Sequence, residues 1–414
     1  MDHLSAMNYN VRCQSPMIAY FAQSTAMSLP KTDPDLVEIR RHLHANPELS
    51  QKEEKTARFV EQRLRDFGYT DIERVADTGV VAIVEGAADG PTRAYRADID
   101  ALPIDEINDV DYASQNPGVM HACGHDVHTT VGLGAARNVM NRRDELEGRV
   151  KFIFQPAEEA SPEDEPVGAE RMAQEGVLDD PDVDAIFAMH CMPALDVGHI
   201  GYTGGPVWAG SELMEIEVVG KKAHGAYPHE GIDAVAVASQ VVVALQQVVS
   251  RTLDARQSCV VTVGQIEAGN SYNVLAERAR MTGILRGLST DVMDRARAAI
   301  EQTAQGVATG LGASAEVRFT PGARPVTNDR DLESRTVELI ADHLGDSVVT
   351  SHPPQLGAED FSAFSRRVPG CFLFLGIRNE ERGITSALHT ADFDVDEACI
   401  GIGVEAMTEV LLRL

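Results

Sequence analysis

Eight consecutive residues, His121-Ala122-Cys123-Gly124-His125-Asp126-Val127-His128, hold three imidazoles, a thiol and a carboxylate. Thiolate, imidazole and carboxylate are the ligands of zinc and its neighbours. Residues two apart in an extended segment face the same way, so Cys123 and His125 are expected to reach one metal site, with Asp126 orienting an imidazole from behind. An apolar run ends in a second group, Phe152-Ile153-Phe154-Gln155-Pro156-Ala157-Glu158-Glu159. Adjacent side chains at a strand end diverge, so one carboxylate can bind a cation while the other stays free as a general base. Metal-assisted hydrolysis needs that division of labour. His190 ends the apolar run 185–189, on the side of a sheet where sites form, and His389 follows a loop near the C-terminus. Each residue alone reads as a buried thiol, a helix cap or a surface imidazole. The set Cys123, His125, Glu159, His190 and His389, with Glu158 to spare, reads as a metal-dependent hydrolase.

A third group lies further along: Ala223-His224-Gly225-Ala226-Tyr227-Pro228-His229, then Asn270, Asn273 and Arg286. An imidazole, an amide and a guanidinium on one small domain could clasp a substrate carboxylate. Surface salt bridges and turn residues would look the same.

The elements that must position these groups alternate. Asp33-Pro34 opens an amphipathic helical stretch to about residue 67, with a break around Asn46-Pro47 and a stop at Gly68. Strands are expected at 80–84, 93–96, 150–154 and 185–189, separated by helices at 129–141 and 170–175. That order predicts an α/β catalytic domain with a mainly parallel sheet. The middle reads as strand 213–219, helix 232–250, strands 259–266 and 279–286, helix 291–311 and strand 315–319. This is the β-α-β-β-α-β order of a ferredoxin-like layer, expected as a domain at 204–322 inserted into a discontinuous first domain, 31–203 and 323–414. Helices at 332–343 and 397–412 and a strand at 372–375 complete the first domain. Residues 1–30 read as an extension without ordered structure, and Glu163, Asp164 and Glu165 as a solvated acidic loop.

Composition narrows the function classes. Lys plus Arg is 36 and Asp plus Glu is 64, a net charge of −28. So acidic a surface repels phosphate backbones and anionic lipid, which argues against nucleic-acid and membrane roles. Only six of the basic residues are Lys, a balance expected of adaptation to high salt or of an arginine-rich coding bias. The six Cys are scattered without paired spacing, which points to a reducing compartment and a cytoplasmic location. No run reaches the ~18 uninterrupted apolar residues of a membrane span.

The chain resembles the metallopeptidase M20 family in its amidohydrolase branch, with its aminoacylases, hippurate hydrolases, indole-acetyl-amino-acid hydrolases and N-acetyldiaminopimelate deacetylases. The likeness runs from about residue 36 to the C-terminus. Its markers are Arg40-Arg41-His42-Leu43-His44 with Pro47-Glu48-Leu49-Ser50, Arg96 to Pro103, His121 to His128, Gln155 to Glu159, His190 with Pro193, Ala223-His224 with Pro228-His229, and Gly357-Ala358-Glu359-Asp360-Phe361-Ser362. The resemblance implies that Cys123 bridges two divalent metal ions, zinc or manganese first and cobalt or nickel next. His125, Glu159, His190 and His389 complete the two sites. Glu158 is then the general base that activates the bridging water and protonates the leaving amine. Asp98 and Asp100 support the ligands, His224 reaches the partner subunit's active site, and Asn273 and Arg286 hold the substrate carboxylate. The inserted domain makes a homodimer. The implied reaction converts an N-acyl amino acid to a carboxylate and a free amino acid. A metallo-carboxypeptidase or dipeptidase acting on short peptides is the alternative. A catalytically silent binding dimer would lack the base or a ligand, and all are present. Two departures from the family pattern stand out: a longer, acidic stretch between Glu159 and Gly168, and Cys191 where an apolar residue is usual, which places a second thiol near the metals.

Overall fold

The computed structural model describes residues 30–160, 166 and 168–414. The expectations for residues 1–29 and for Glu163, Asp164 and Glu165 fall outside them, as does most of the acidic stretch after Glu159. The opening helical stretch is two helices, α1 (Pro34–Ala45) and α2 (Glu54–Asp66). The Asp33 carboxylate caps α1 by accepting the Asp35 N–H at 3.0 Å. Pro47 excludes the helical conformation from Asn46, which sits at φ −126°, ψ 48°. Leu36, Ile39 and Leu43, then Ala57, Val60 and Leu64, face the core.

The strands and helices that follow, in chain order, are β1 (Asp71–Val75), β2 (Gly79–Glu85), β3 (Ala88–Asp98), α3 (His125–Asn141), β4 (Glu147–Gln155), α4 (Gly168–Gln174), β5 (Ala185–Asp196), β6 (Ile200–Tyr202) and β7 (Pro206–Trp208). The chain continues through β8 (Gly210–Val219), α5 (Ala234–Gln247), β9 (Cys259–Ala268), β10 (Arg278–Gly287), α6 (Thr290–Gly310) and β11 (Ser314–Pro321). It closes with β12 (Val326–Thr327), α7 (Arg330–Leu344), β13 (Val349–Ser351), α8 (Ser362–Ser365), β14 (Gly370–Arg378) and α9 (Ala398–Arg413).

Eight strands form the large sheet in the order β1-β2-β4-β3-β5-β14-β6-β13. Its centre, β4-β3-β5-β14, is parallel, as is the β6–β13 pair; β1–β2, β2–β4 and β6–β14 are antiparallel. The sheet is therefore mainly parallel, as expected, with an antiparallel edge. Central strands covered on both faces read as continuous apolar runs, and β14 is buried from Gly370 to Ile377. α3 and α9 cross closely because small residues meet there: a Cβ on Gly134 would lie 2.5 Å from Val404 Cγ2. That contact fixes α3, whose first residue is His125.

The second sheet has the order β11-β8-β10-β9, entirely antiparallel, with α5 and α6 on one face. This is the ferredoxin-like layer expected from the strand order. Along β8, buried and half-buried residues alternate strictly, the signature of a sheet covered on one side. Met214, Ile216, Val237, Val241, Met281 and Ile300 build its separate core. The excursion leaves and returns at one place, where Ser211 and Gly322–Ala323 exchange backbone hydrogen bonds of 2.9 Å. Ala234–Thr252 is long and apolar enough to cross a membrane by length and composition, although its Val237, Val241 and Leu245 face lies in this core.

Candidate metal centre

Gly124 sits at φ +85° and α3 begins at His125. Cys123 and His125 therefore do not share an extended segment, contrary to the sequence expectation. Glycine takes the left-handed turn at little cost, and any Cβ here would lie 2.8 Å from Cys191 Sγ. The turn still brings the two side chains together by another route. The ligand atoms of Cys123, His125 and His190 lie within 4.8 Å of one another, as do those of Cys123, Glu159 and His389. Cys123 belongs to both sets: its Sγ is 3.4 Å from His190 Nε2 and 3.3 Å from His389 Nε2.

His190 also differs from expectation. β5 does not stop before it but continues to Asp196, and His190 pairs with Phe374 of β14. Pro193 falls where the β5–β14 register shifts, a position at which a missing N–H is tolerated. β3 pairs with β5 only as far as Ala188, so His190 emerges just past its last rung.

Surrounding groups set the tautomers. His125 Nδ1 lies 2.9 Å from the Asp100 carbonyl and 3.1 Å from Asp100 Oδ1, and His190 Nδ1 lies 2.7 Å from the Cys191 carbonyl. A carbonyl only accepts, so both Nδ1 atoms carry protons, and in the neutral rings Nε2 is the free ligand atom. His128 Nε2 accepts the Cys191 N–H at 2.8 Å while its Nδ1 donates to Asp98 Oδ1 at 2.6 Å, holding the backbone beside His190. The thiol of Cys191 itself lies 3.9 Å from the Gly124 carbonyl and is fully buried.

Glu158 and Glu159 were expected to diverge. β4 ends at Gln155, and Ala157 adopts a left-handed φ of +56°, so strand alternation no longer applies. The two carboxylates converge: Glu158 Oε2 and Glu159 Oε1 each lie 4.0 Å from His125 Nε2. Glu159 Oε1 also lies 3.2 Å from His389 Nε2. His389 too is left-handed, at φ +62°, and its N–H bonds the Ala122 carbonyl at 2.8 Å.

Electrostatics favour a cation here. Burial, then Glu159 and Glu158, push the Cys123 thiol well up. Burial alone would lower His125, but Asp98 and Asp100 outweigh it and push the imidazole up to about 10. Burial, then Glu359 and Glu159, hold Glu158 well above the usual carboxylate range. Burial, then His128, keep His190 well below the usual imidazole range. Two buried atoms of this cluster, His125 Nε2 and Glu159 Oε1, make no aligned hydrogen bond. Convergent N, O and S donors with orphaned buried atoms fit divalent metal ions.

Behind the cluster, Arg96 is fully buried. It donates to Gln155 Oε1 at 2.6 Å, Asp98 Oδ2 at 2.7 Å, and Glu359 Oε1 and Asp360 Oδ1 at 2.9 Å each. Asp98 and Asp100 both lie against His125: Asp98 Oδ2 is 3.8 Å from its Nε2 and Asp100 Oδ1 3.1 Å from its Nδ1. Trp208 was not anticipated. It is the single Trp of the chain, and its indole packs edgewise on His190 with ring centroids 5.2 Å apart. Nothing in its local sequence marks it.

The residues of the second sheet are elsewhere. His224 and Asn273 are exposed and joined through Gly225, whose N–H bonds the Asn273 carbonyl at 2.8 Å. Among the described residues, no hydrogen bond or ion pair links either to the cluster. Arg286 comes nearest to the first domain, with Nη1 3.4 Å from the Leu356 carbonyl.

The family model of "Peptidase family M20/M25/M40" matches residues 94–413. An N-acyl-L-amino acid amidohydrolase of Geobacillus stearothermophilus is 44% identical over 294 residues, 71% of this chain and 78% of that protein. Thermostable carboxypeptidase 2 of Saccharolobus solfataricus is 35% identical over 381 residues, 92% of this chain and 94% of that protein. The crystal structure of Bacillus subtilis YXEP protein, described as a dinuclear metal binding peptidase from the M20 family, is 35% identical with a TM-score of 0.80. It covers 91% of this chain and 97% of that one.

Proposed function

The chain belongs to peptidase family M20/M25/M40, and from that premise we propose that it is a metal-dependent amidohydrolase that releases free amino acids from N-acyl amino acids. It is a hydrolase of amide bonds, as its relatives are. The observation that carries the finer reading is the buried Cys123 shared by two ligand sets, with Glu158 convergent on them but not needed by either.

Cys123, His125, Glu159, His190 and His389 would hold two divalent ions, zinc by donor type, with manganese, cobalt or nickel admitted by availability, which would supply Lewis acidity and lower the pKa of water. Glu158 takes the proton of the attacking water and returns it to the leaving nitrogen. Its side chain retains 10% exposure, enough to meet a substrate, while its raised proton affinity suits an acid–base group. Arg286, half-buried and poised beside the first domain, would pair with the substrate carboxylate, with Asn273 assisting.

His224 is exposed and, among the described residues, makes no hydrogen bond or ion pair with the cluster, which supports a homodimer in which it serves the opposite site. An exposed apolar face supports the same reading. Val235 is 45% exposed, Val243 65%, and Ile266, on edge strand β9, 51%. Light scattering is expected to give twice the chain mass; the mass of one chain would remove this part. The five described cysteines are free and buried, which supports a reducing, cytoplasmic setting.

The Saccharolobus relative favours a second reading, cleavage of short peptides. Amine release from N-acetyl, N-benzoyl and indole-acetyl amino acids beside simple dipeptides separates the two. Release from the acyl substrates alone is expected, and dipeptide cleavage alone would promote the peptidase.

A further inference from the structure

We propose that Glu53 is a positioning residue for the general base: it holds the N–H of Ala157, the residue that precedes Glu158. The inference rests on the proposed role of Glu158. Glu53 is fully buried, and among the described residues no Arg, Lys or His forms an ion pair with it. Its carboxylate joins three loops instead. Oε1 accepts the Gln51 N–H at 3.0 Å and the Ala157 N–H at 2.9 Å, and Oε2 accepts the Thr78 hydroxyl at 2.7 Å.

These loops are where the backbone is strained. Five non-glycine residues among those described have positive φ: Gln51 at 64°, Ala76 at 51°, Asp77 at 66°, Ala157 at 56° and His389 at 62°. Four of them lie in the three loops that Glu53 joins, and the fifth is a candidate ligand. Strained backbone persists only where surrounding structure over-determines it, and it collects at functional sites. A buried carboxylate without a cation is itself unfavourable unless its oxygens are met by donors. Burial and nearby Asp100 add to that cost by raising its proton affinity. A fold that keeps both features at one spot, 104 residues apart in sequence, is holding the Pro156–Glu159 turn in one conformation.

The opposite side of Glu158 is tied in the same way. The Glu159 N–H donates to Asp100 Oδ2 at 2.9 Å, and that oxygen accepts the Ser50 hydroxyl at 2.7 Å. The N–H groups of both residues flanking the base are thus bound by carboxylates, and the loop at residues 48–53 reaches both. This gives the Pro47-Glu48-Leu49-Ser50 motif and the residues after it a catalytic purpose beyond linking α1 to α2. With Ala157 released, Glu158 loses its aim at the reacting atoms while Cys123, His125 and His190 stay in place.

Glu53→Ala and Glu53→Gln test this. Gln keeps an oxygen for the two N–H groups and offers an N–H to Thr78. Glu53→Ala is expected to lower kcat at least tenfold with KM within twofold, to retain wild-type metal content, and to lose amide-exchange protection at Ala157, while Glu159, held by Asp100, keeps its own. Glu53→Gln is expected to recover most of both. Unchanged kcat in Glu53→Ala, or Glu53→Gln as impaired as Glu53→Ala, overturns the inference. If the Ala variant does not fold, Thr78→Val removes one bond of the clamp. It should then lower kcat about threefold and loosen the Ala157 amide, and no change in either overturns the inference. If the wild type releases no amine from any substrate, the amidohydrolase reading fails on its own, and exchange at Ala157 still decides whether Glu53 holds the turn.

Discussion

Glu158→Gln is expected to reduce kcat by about 10³-fold, within the range general acid–base groups supply, while metal content and KM stay near wild type. The loss corresponds to about 4 kcal/mol of transition-state stabilisation. Gln matches the shape of Glu but cannot take a proton. Glu158 also groups with His125 and Glu159, but the two sets joined by Cys123 are complete without it, so removing its charge leaves five donors for the ions. Steady-state kinetics with metal analysis of the same preparation checks both parts. Wild-type turnover in this variant would remove Glu158 from its role.

Arg96→Met is expected to destabilise the chain by about 3–5 kcal/mol, the cost of breaking a buried charge network by removing one partner. The midpoint of thermal unfolding should fall on the order of 10 °C. Arg96 is fully buried and is the cation that Asp98, Glu359 and Asp360 share. Arg96→Lys should recover little, because a compact ammonium cannot meet four acceptors in one plane. The deficit depends on pH, and its sign follows from Asp360. Burial pushes Asp360 up to about 7, and Arg96 works against that shift. A carboxylate whose folded proton affinity exceeds its unfolded value binds more protons when folded, so its contribution to stability falls as pH rises through that range. Without Arg96 the effect grows. The gap between variant and wild type should therefore be smaller at pH 5.5 than at pH 8, as read by calorimetry at both values.

The donors of the centre were legible because their chemistry lies in residue type. A run holding Cys123, His125 and His128 stands out whatever the backbone does. Their route together was not legible. It depends on Gly124, which is left-handed and where Cys191, from a strand 67 residues away, leaves no room for a Cβ. The convergence of Glu158 and Glu159 was hidden for a related reason, since alternation ends with β4 and Ala157 then turns the chain. Glu53 and Trp208 were invisible because their partners are distant. One binds backbone N–H groups, which every residue offers, and the other packs on an imidazole. The ferredoxin-like layer was readable from the β-α-β-β-α-β order of its elements, and the strict alternation of burial along β8 agrees with it. The strands β6, β7, β12 and β13 have two or three residues each, too few to show a period. His224 and Asn273 were placed at the site by resemblance, and one chain alone leaves them outside it.

The most direct test is titration of metal-stripped protein with Zn²⁺ or Mn²⁺, counting ions bound per chain while recording amine release from an N-acetyl amino acid. Cys123 and His125 hold protons that the ions must displace, so the apparent affinity should rise with pH between 6.5 and 8. Two ions per chain, with release appearing only as they load, is the predicted result. Full turnover by metal-free protein, or folded protein that binds no ion, would contradict it.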